Sequence, residues 1–189
     1  MIRRPPRSTQ GVSSAASDVY KRQVNIPSVC RFLDVGGGKG TFVSELKKIH
    51  PKVDAAVFDL PGSHSENSGH RCIIGSFKED ELPAGYDIIS LVRILYDHRD
   101  ETIRDLLGKT YNALDKGGRL IVSEPMLGAD RPTLWGDVYF AMYTLAMSTG
   151  KTRSPDQVSG FIKDAGFSNV TIHKSARPFI TTVIEAQKT

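Results

Sequence analysis

Apolar and polar positions along residues 30–187 change period in a regular order. CRFLDVG (30–36) is a short apolar run ending in glycines, the pattern of a buried strand. In 41–50, Phe42, Val43, Leu46 and Ile49 recur at helical spacing, and Pro51 stops that helix. VDAAVFDL (53–60), RCIIGSF (71–77) and YDIISLVRIL (86–95) read as three further strands. The last is apolar nearly throughout, as a central parallel strand must be. Asp97 or Asp100 caps the next helix, which turns Ile103, Leu106, Leu107, Tyr111 and Leu114 inward and ends at Gly117-Gly118. RLIVSEP (119–125) is a fifth strand. LWGDVYFAMYTLAMS (134–148) is apolar enough for a helix that is buried or lines a pocket. Pro155 behind Ser154 opens another helix, running to Gly166. NVTIHKS and FITTVIEAQ close the chain as two strands joined through Ala176-Arg177-Pro178, a link short enough for an antiparallel pair. Repeated β-α-β order with a final hairpin predicts an α/β fold: a mostly parallel, doubly wound sheet.

Residues 1–23 break this pattern. They have neither helical nor strand periodicity, and they resemble translated read-through of a sequencing adapter. The expectation is a foreign tail before a domain at 24–189, with native sequence once lying further upstream. The tail also explains the net charge of +4, since it holds five of the 25 basic residues and one of the 21 acids. The remainder is balanced, which argues against electrostatic capture of nucleic acid or anionic lipid. No apolar run is long enough for stable membrane insertion, and no secretory signal opens the chain. Cys30 and Cys72 read as two free thiols of a cytoplasmic protein, and no metal spacing is present.

The sharpest motif is Asp34-Val35-Gly36-Gly37-Gly38-Lys39-Gly40, on the turn from the first strand into the first helix. Glycines there permit positive φ and close approach of a ligand to backbone. The dinucleotide fingerprint G-x-G-x-x-G is not met: counted from Gly36 it requires glycine at Thr41, and counted from Gly37 at Lys39. What stands is D-x-G-x-G-x-G. The second strand ends at Asp59, about 20 residues on, where a carboxylate can accept both ribose hydroxyls of a nucleoside. Gly75-Ser76-Phe77 ends the third strand; Phe77 is either a core side chain or a platform for adenine, with Ser76 at the edge of the base. All three lie at the carboxyl edge of one sheet, where such folds bind ligands.

F-L-D-V-G-G-G-K-G, V-F-D-L-P, G-S-F, L-V-R-I-L-Y-D-H-R-D-E and G-G-R-L-I-V-S-E-P together resemble the small-molecule O-methyltransferases, over about residues 30–189. Within that family, Y-D-H, S-E-P-M and G-D-V-Y-F-A-M-Y-T-L-A-M-S-T-G-K resemble the carotenoid hydroxyl methyltransferases of purple phototrophic bacteria, which act on hydroxyneurosporene and demethylspheroidene. The resemblance implies a class I methyltransferase fold, with S-adenosylmethionine held at Asp34, Gly36–Gly40, Asp59, Gly75, Ser76, Phe77 and Arg93. It implies a small-molecule hydroxyl substrate, and a homodimer built through an N-terminal helical domain that is missing here. In most members His-Asp-Trp follows the fourth strand and its His is the base. Tyr96 stands at that position, and His98 where Trp is usual. A Glu that orients the base matches Glu124, whereas a second such Glu matches Thr152 and the usual Asp of G-D-F is Ser76.

The reaction implied is in-line attack of a substrate oxygen on a sulfonium methyl, in which the protein aligns the reactants and excludes water. His98 is the better proton acceptor at neutral pH by its ordinary pKa, and Tyr96 then orients the hydroxyl. In 134–148, Trp135, Tyr139, Phe140, Met142, Tyr143 and Met147 read as core by default and as a greasy substrate wall otherwise. Asp137 faces either a substrate hydroxyl or solvent. The rival readings are a phenol, polyketide or quinone substrate, a cofactor-binding module without turnover, and, opposed by the glycine spacing, a nicotinamide oxidoreductase.

Overall fold

The computed structural model describes residues 24–63, 69–127, 137–148, 150–173 and 181–189, with the Met147 side chain excepted. The strands are β1 (Arg31–Val35), β2 (Asp54–Asp59), β3 (Arg71–Ile74), β4 (Tyr86–Val92), β5 (Leu114–Glu124), β6 (Ser168–His173) and β7 (Thr182–Gln187). The helices are α1 (Thr41–Ile49), α2 (Asp100–Ala113), α3 (Tyr139–Met147) and α4 (Pro155–Asp164), with one 3-10 turn at Leu95–Asp97. The strands form one sheet in the order β3-β2-β1-β4-β5-β7-β6. β1 to β5 are parallel, and β7 runs antiparallel to both β5 and β6. The doubly wound sheet and its closing antiparallel pair are as expected. The link at 174–180 lies outside the described residues.

Alternation along the strands divides the core in two. Leu33, Val35, Ala56, Phe58, Ile89, Leu91, Leu120 and Val122 face α2 and α4. Phe32, Ala55, Val57, Ile88, Ile121 and Val183 face α1, which buries Phe42, Val43 and Leu46 against them. Each such Val, Leu, Ile or Phe side chain stabilises the fold by about 1.5–3 kcal/mol. α4 starts as its sequence requires: Ser154 and Gln157 exchange side-chain-to-backbone hydrogen bonds in a capping box, and Pro155 sits in the first turn.

Three expectations change. α2 ends at Ala113 and not at the glycine pair, and β5 starts at once with Leu114, which pairs with Tyr86. Gly117 bends within this strand at φ 78°, so the glycines shape a strand instead of stopping a helix. The residue capping α2 is Arg99, without a side-chain cap, and Asp100 turns to Arg153. The helix expected to be buried or to line a pocket is described from 137, and it is not buried: Tyr139 is 60%, Met142 66% and Leu145 79% exposed. Only its other side packs, with Thr144 buried. Trp135 and the rest of 128–136 lie outside the described residues. Among the described residues no helix is long and apolar enough to cross a membrane.

Candidate functional site

Because β1 to β4 are parallel, the turns that leave them meet at one edge. Register brings Val35 level with Phe58 and with Leu91, and Asp59 level with Ile74. The glycine loop therefore opens beside Asp59, with Gly75 next along the edge.

The glycines of the loop serve different ends. Gly36, Gly38 and Gly40 all have positive φ, at 71°, 57° and 72°. A Cβ at Gly36 would lie 2.3 Å from the Ile94 side chain, and one at Gly40 2.0 Å from the His70 ring. A Cβ at Gly37 would lie 2.4 Å from Asp34 Oδ2. Only at Gly38, among these four, would a Cβ meet nothing within 4 Å. Gly38 thus presents bare backbone to open space, and its N–H donates to Asp59 Oδ2 at 2.6 Å. Asp59 Oδ1 accepts from the Leu60 N–H, so the carboxylate is fixed at the rim of the loop.

Asp34 lies beneath the loop. It has no exposed surface and accepts a 2.6 Å hydrogen bond from the Ser90 hydroxyl. Burial pushes its carboxyl up to about 7, against the pull of Ser90, with the Asp59 charge adding to the rise. Asp34 thus packs under Gly37 with no exposed surface of its own. Gly75 is also a packing residue, since a Cβ there would lie 2.6 Å from the Phe58 ring. The Ser76 N–H donates to Asp80 Oδ2, making Asp80 the carboxylate of this turn. Sequence reasoning passed over Asp80, whose only signal was the acidic run Glu79-Asp80-Glu81 close behind Ser76.

Beyond β4 the chain takes a strained path. Arg93 has φ 57°, unusual for a side chain of its size, and its N–H donates to the Ser123 carbonyl on β5. Glu124, at the end of β5, accepts from the Ile94 and Leu95 N–H groups at 2.7 Å each. The residue is buried, which pushes its carboxyl up to about 8 although both hydrogen bonds and the Arg93 charge pull it down. Glu124 thereby sets the turn that carries Tyr96, through backbone.

Tyr96 and His98 point to different walls. The buried Tyr96 ring packs on Phe140 and Tyr143 of α3, at 6.2 and 5.9 Å between ring centres. The Arg93 guanidinium sits over the Tyr96 and Phe140 rings and donates to the phenol oxygen at 3.3 Å. Burial pushes the Tyr96 phenol well above its ordinary value, outweighing Arg93. The His98 ring instead meets Phe77 edge-on at 5.2 Å. The Phe77 carbonyl accepts from Lys109, and its ring is partly buried against the α2 side of the core. Of the proposed wall residues, Tyr139 and Met142 lie on the exposed side of α3. Asp137 sits in the turn just before that helix, and the Met147 side chain lies outside the described residues.

A model of the O-methyltransferase domain matches residues 7–168, starting within the segment that reads as a foreign tail. Demethylspheroidene O-methyltransferase of Rhodobacter capsulatus is 44% identical over 176 residues, which cover 91% of this chain and 45% of that protein. The enzyme of the same name from Cereibacter sphaeroides is 39% identical, over 94% of this chain and 49% of its own. The chain thus spans about half the length of these relatives. Human N-acetylserotonin methyltransferase, crystallised in complex with S-adenosylmethionine, superposes with a TM-score of 0.79 at 27% identity, over 93% of this chain and 51% of that one. The sheet with its reversed β7 is that of the class I methyltransferases. Its glycine loop and the turns beyond β3 and β4 stand at one edge of that sheet, and the chain belongs to the O-methyltransferase domain family.

Proposed function

We propose that residues 24–189 form the cofactor-binding domain of an S-adenosylmethionine-dependent O-methyltransferase acting on a hydroxyl of a small apolar molecule, of the carotenoid type. The observation that carries the cofactor half is the open face of Gly38 beside Asp59. There the missing side chain leaves room for a ligand against backbone, and the carboxylate is placed for ribose hydroxyls. Phe77 takes the adenine, with His98 against it. The apolar half rests on Phe140 and Tyr143 around Tyr96 and on the exposed Tyr139 and Met142 beside them. The 44% identity to a carotenoid-modifying relative points the same way. In the longer protein, the upstream part closes the site and forms the homodimer.

Bound on the loop, S-adenosylmethionine supplies an electrophilic methyl group on positive sulfur. The chain aligns the acceptor. Tyr96 is a phenol, protonated at neutral pH, and burial moves it still further from ionisation. Its oxygen, held by Arg93, hydrogen-bonds the substrate hydroxyl and aims the oxygen at the methyl. An aliphatic alcohol is too weak an acid to ionise first, so its proton passes to solvent water as the new C–O bond forms and the bond from the methyl carbon to sulfur breaks. Sequence alone ranks His98 as the proton acceptor. Its contact with Phe77 favours the cofactor side instead.

Calorimetric titration of S-adenosylhomocysteine into the 189-residue chain is expected to show micromolar binding. No binding by a folded sample, repeated with an upstream half restored, would remove the cofactor reading. In that longer protein, Tyr96→Phe should lower kcat at least about tenfold at unchanged S-adenosylhomocysteine affinity. His98→Ala should weaken that affinity by about three- to tenfold and spare saturated turnover. The reverse pattern would return the base to His98. Offering tertiary carotenoid alcohols beside phenols and quinones, with product mass as readout, tests the substrate class.

A further inference from the structure

We propose that Arg153 is a positioning residue for the segment carrying Tyr96 and His98, holding it by the backbone carbonyls on either side of Tyr96. The assignment deepens the functional reading above and rests on it for the roles of those two side chains.

Arg153 is only 3% exposed, which is costly for a cation without full compensation. The compensation is complete. Its Nε and one terminal nitrogen donate to Asp100 Oδ1, at 2.9 and 2.5 Å. That second nitrogen also donates to the His98 carbonyl at 2.9 Å. The other terminal nitrogen donates to the carbonyls of Leu95, at 3.3 Å, and Lys151, at 2.8 Å. These five bonds match the five N–H donors of a guanidinium. Asp100 answers in kind, its carboxyl held below the usual range first by the hydrogen bonds from Arg153.

The chain around Arg153 joins the same clamp. The Lys151 N–H donates to the Tyr96 carbonyl at 3.0 Å, so the carbonyls of Leu95, Tyr96 and His98 are all taken by residues 151–153. Gly150 presses so close that a Cβ there would lie 2.3 Å from the Tyr96 carbonyl oxygen. The Arg153 carbonyl in turn accepts from the Leu127 N–H, tying the clamp to the exit of β5. Glu124 holds the two N–H groups entering this segment and Arg153 holds carbonyls within and beyond it. Outside one 3-10 turn, residues 93–99 have no regular structure to keep two side chains aimed at different walls. A planar fork reaching two carbonyls and a carboxylate supplies that rigidity, and a lysine ammonium, with three donors on one atom, cannot span the same acceptors.

The test uses the whole chain with Arg153→Lys, His98→Ala and the double variant. The His98 ring-proton NMR signals, identified by their loss in His98→Ala, should move in Arg153→Lys toward those of an unstructured histidine. S-adenosylhomocysteine affinity should fall about three- to tenfold in each single variant, with little further loss in the double, because Arg153 acts through His98. Unmoved His98 signals, or affinity losses that multiply in the double variant, would overturn the assignment and leave Arg153 a packing residue. If Arg153→Lys fails to fold, Asp100→Asn replaces it. That variant weakens the clamp from its half-exposed end, and a smaller shift of the same signals is expected, with none overturning the assignment. If the parent chain binds no S-adenosylhomocysteine even with an upstream half restored, the functional reading fails by itself, and the NMR signals still decide whether Arg153 holds His98 in place.

Discussion

Gly38→Val is expected to abolish S-adenosylhomocysteine binding, weakening it beyond about a hundredfold, while the sheet stays folded. Two effects combine. The new side chain enters the open space that a ligand must share with this backbone. A β-branched residue is also strained at φ 57°. Strain of this kind costs about 1–3 kcal/mol, within what a domain stable by about 5–15 kcal/mol survives. Gly38→Asn separates the two, since asparagine tolerates the left-handed region yet still fills the space. Calorimetry on both variants should show binding lost in both, with thermal unfolding lowered mainly for valine. Binding at parental strength in the asparagine variant would remove the loop from the site. Gly36→Ala makes a contrast: its methyl would strike Ile94 and push on the turn that Glu124 holds, so the damage is to stability.

Glu124→Ala is expected to lower stability strongly. It leaves the Ile94 and Leu95 N–H groups without their acceptor in a buried site, at about 1–3 kcal/mol each. Glu124→Gln keeps an acceptor oxygen and carries no charge. Its comparison with the parent exposes the linkage to pH. The folded carboxyl titrates at about 8 against an ordinary 4.5, so the folded state favours the protonated form. The stability this group contributes is full below pH 4.5, falls as pH rises to about 8, and is level above it. Asp34 adds a fall of the same sign between 3.8 and about 7, common to both proteins. Urea midpoints at pH 5, 6.5 and 8 should therefore show the parent losing stability relative to Glu124→Gln as pH rises. A pH-independent difference would mean that Glu124 is ionised in the fold throughout.

Much of this architecture was legible in the chain. A short apolar run such as Phe32-Leu33-Asp34-Val35 marks a strand with both faces covered, because burial rewards apolar side chains wherever they point inward. Gly36, Gly38 and Gly40 after such a strand mark a turn at the carboxyl edge, and their spacing by itself argues against a dinucleotide. Pro155 behind Ser154 marks the start of α4, since such a signal needs only neighbouring residues. These signals are local, and the sequence carries them whole.

The remainder depended on partners far away in the chain. Three of the loop glycines are explained by Ile94, Asp34 and His70, and only the fold shows that Gly38 alone of the four faces open space. Leu114 is apolar and buried in either a helix or a strand, and its pairing with Tyr86 decided for the strand. Tyr96 and His98 are two letters apart, yet one turns to α3 and the other to Phe77. No motif of the sequence includes Arg153, and its role appears only where the carbonyls of residues 95 and 98 come within reach of its five donors. Periodicity records how much of each side chain is buried, because the hydrophobic effect has no direction. Hydrogen bonds and close contacts have direction, and their geometry exists only once the sheet has brought the distant segments together.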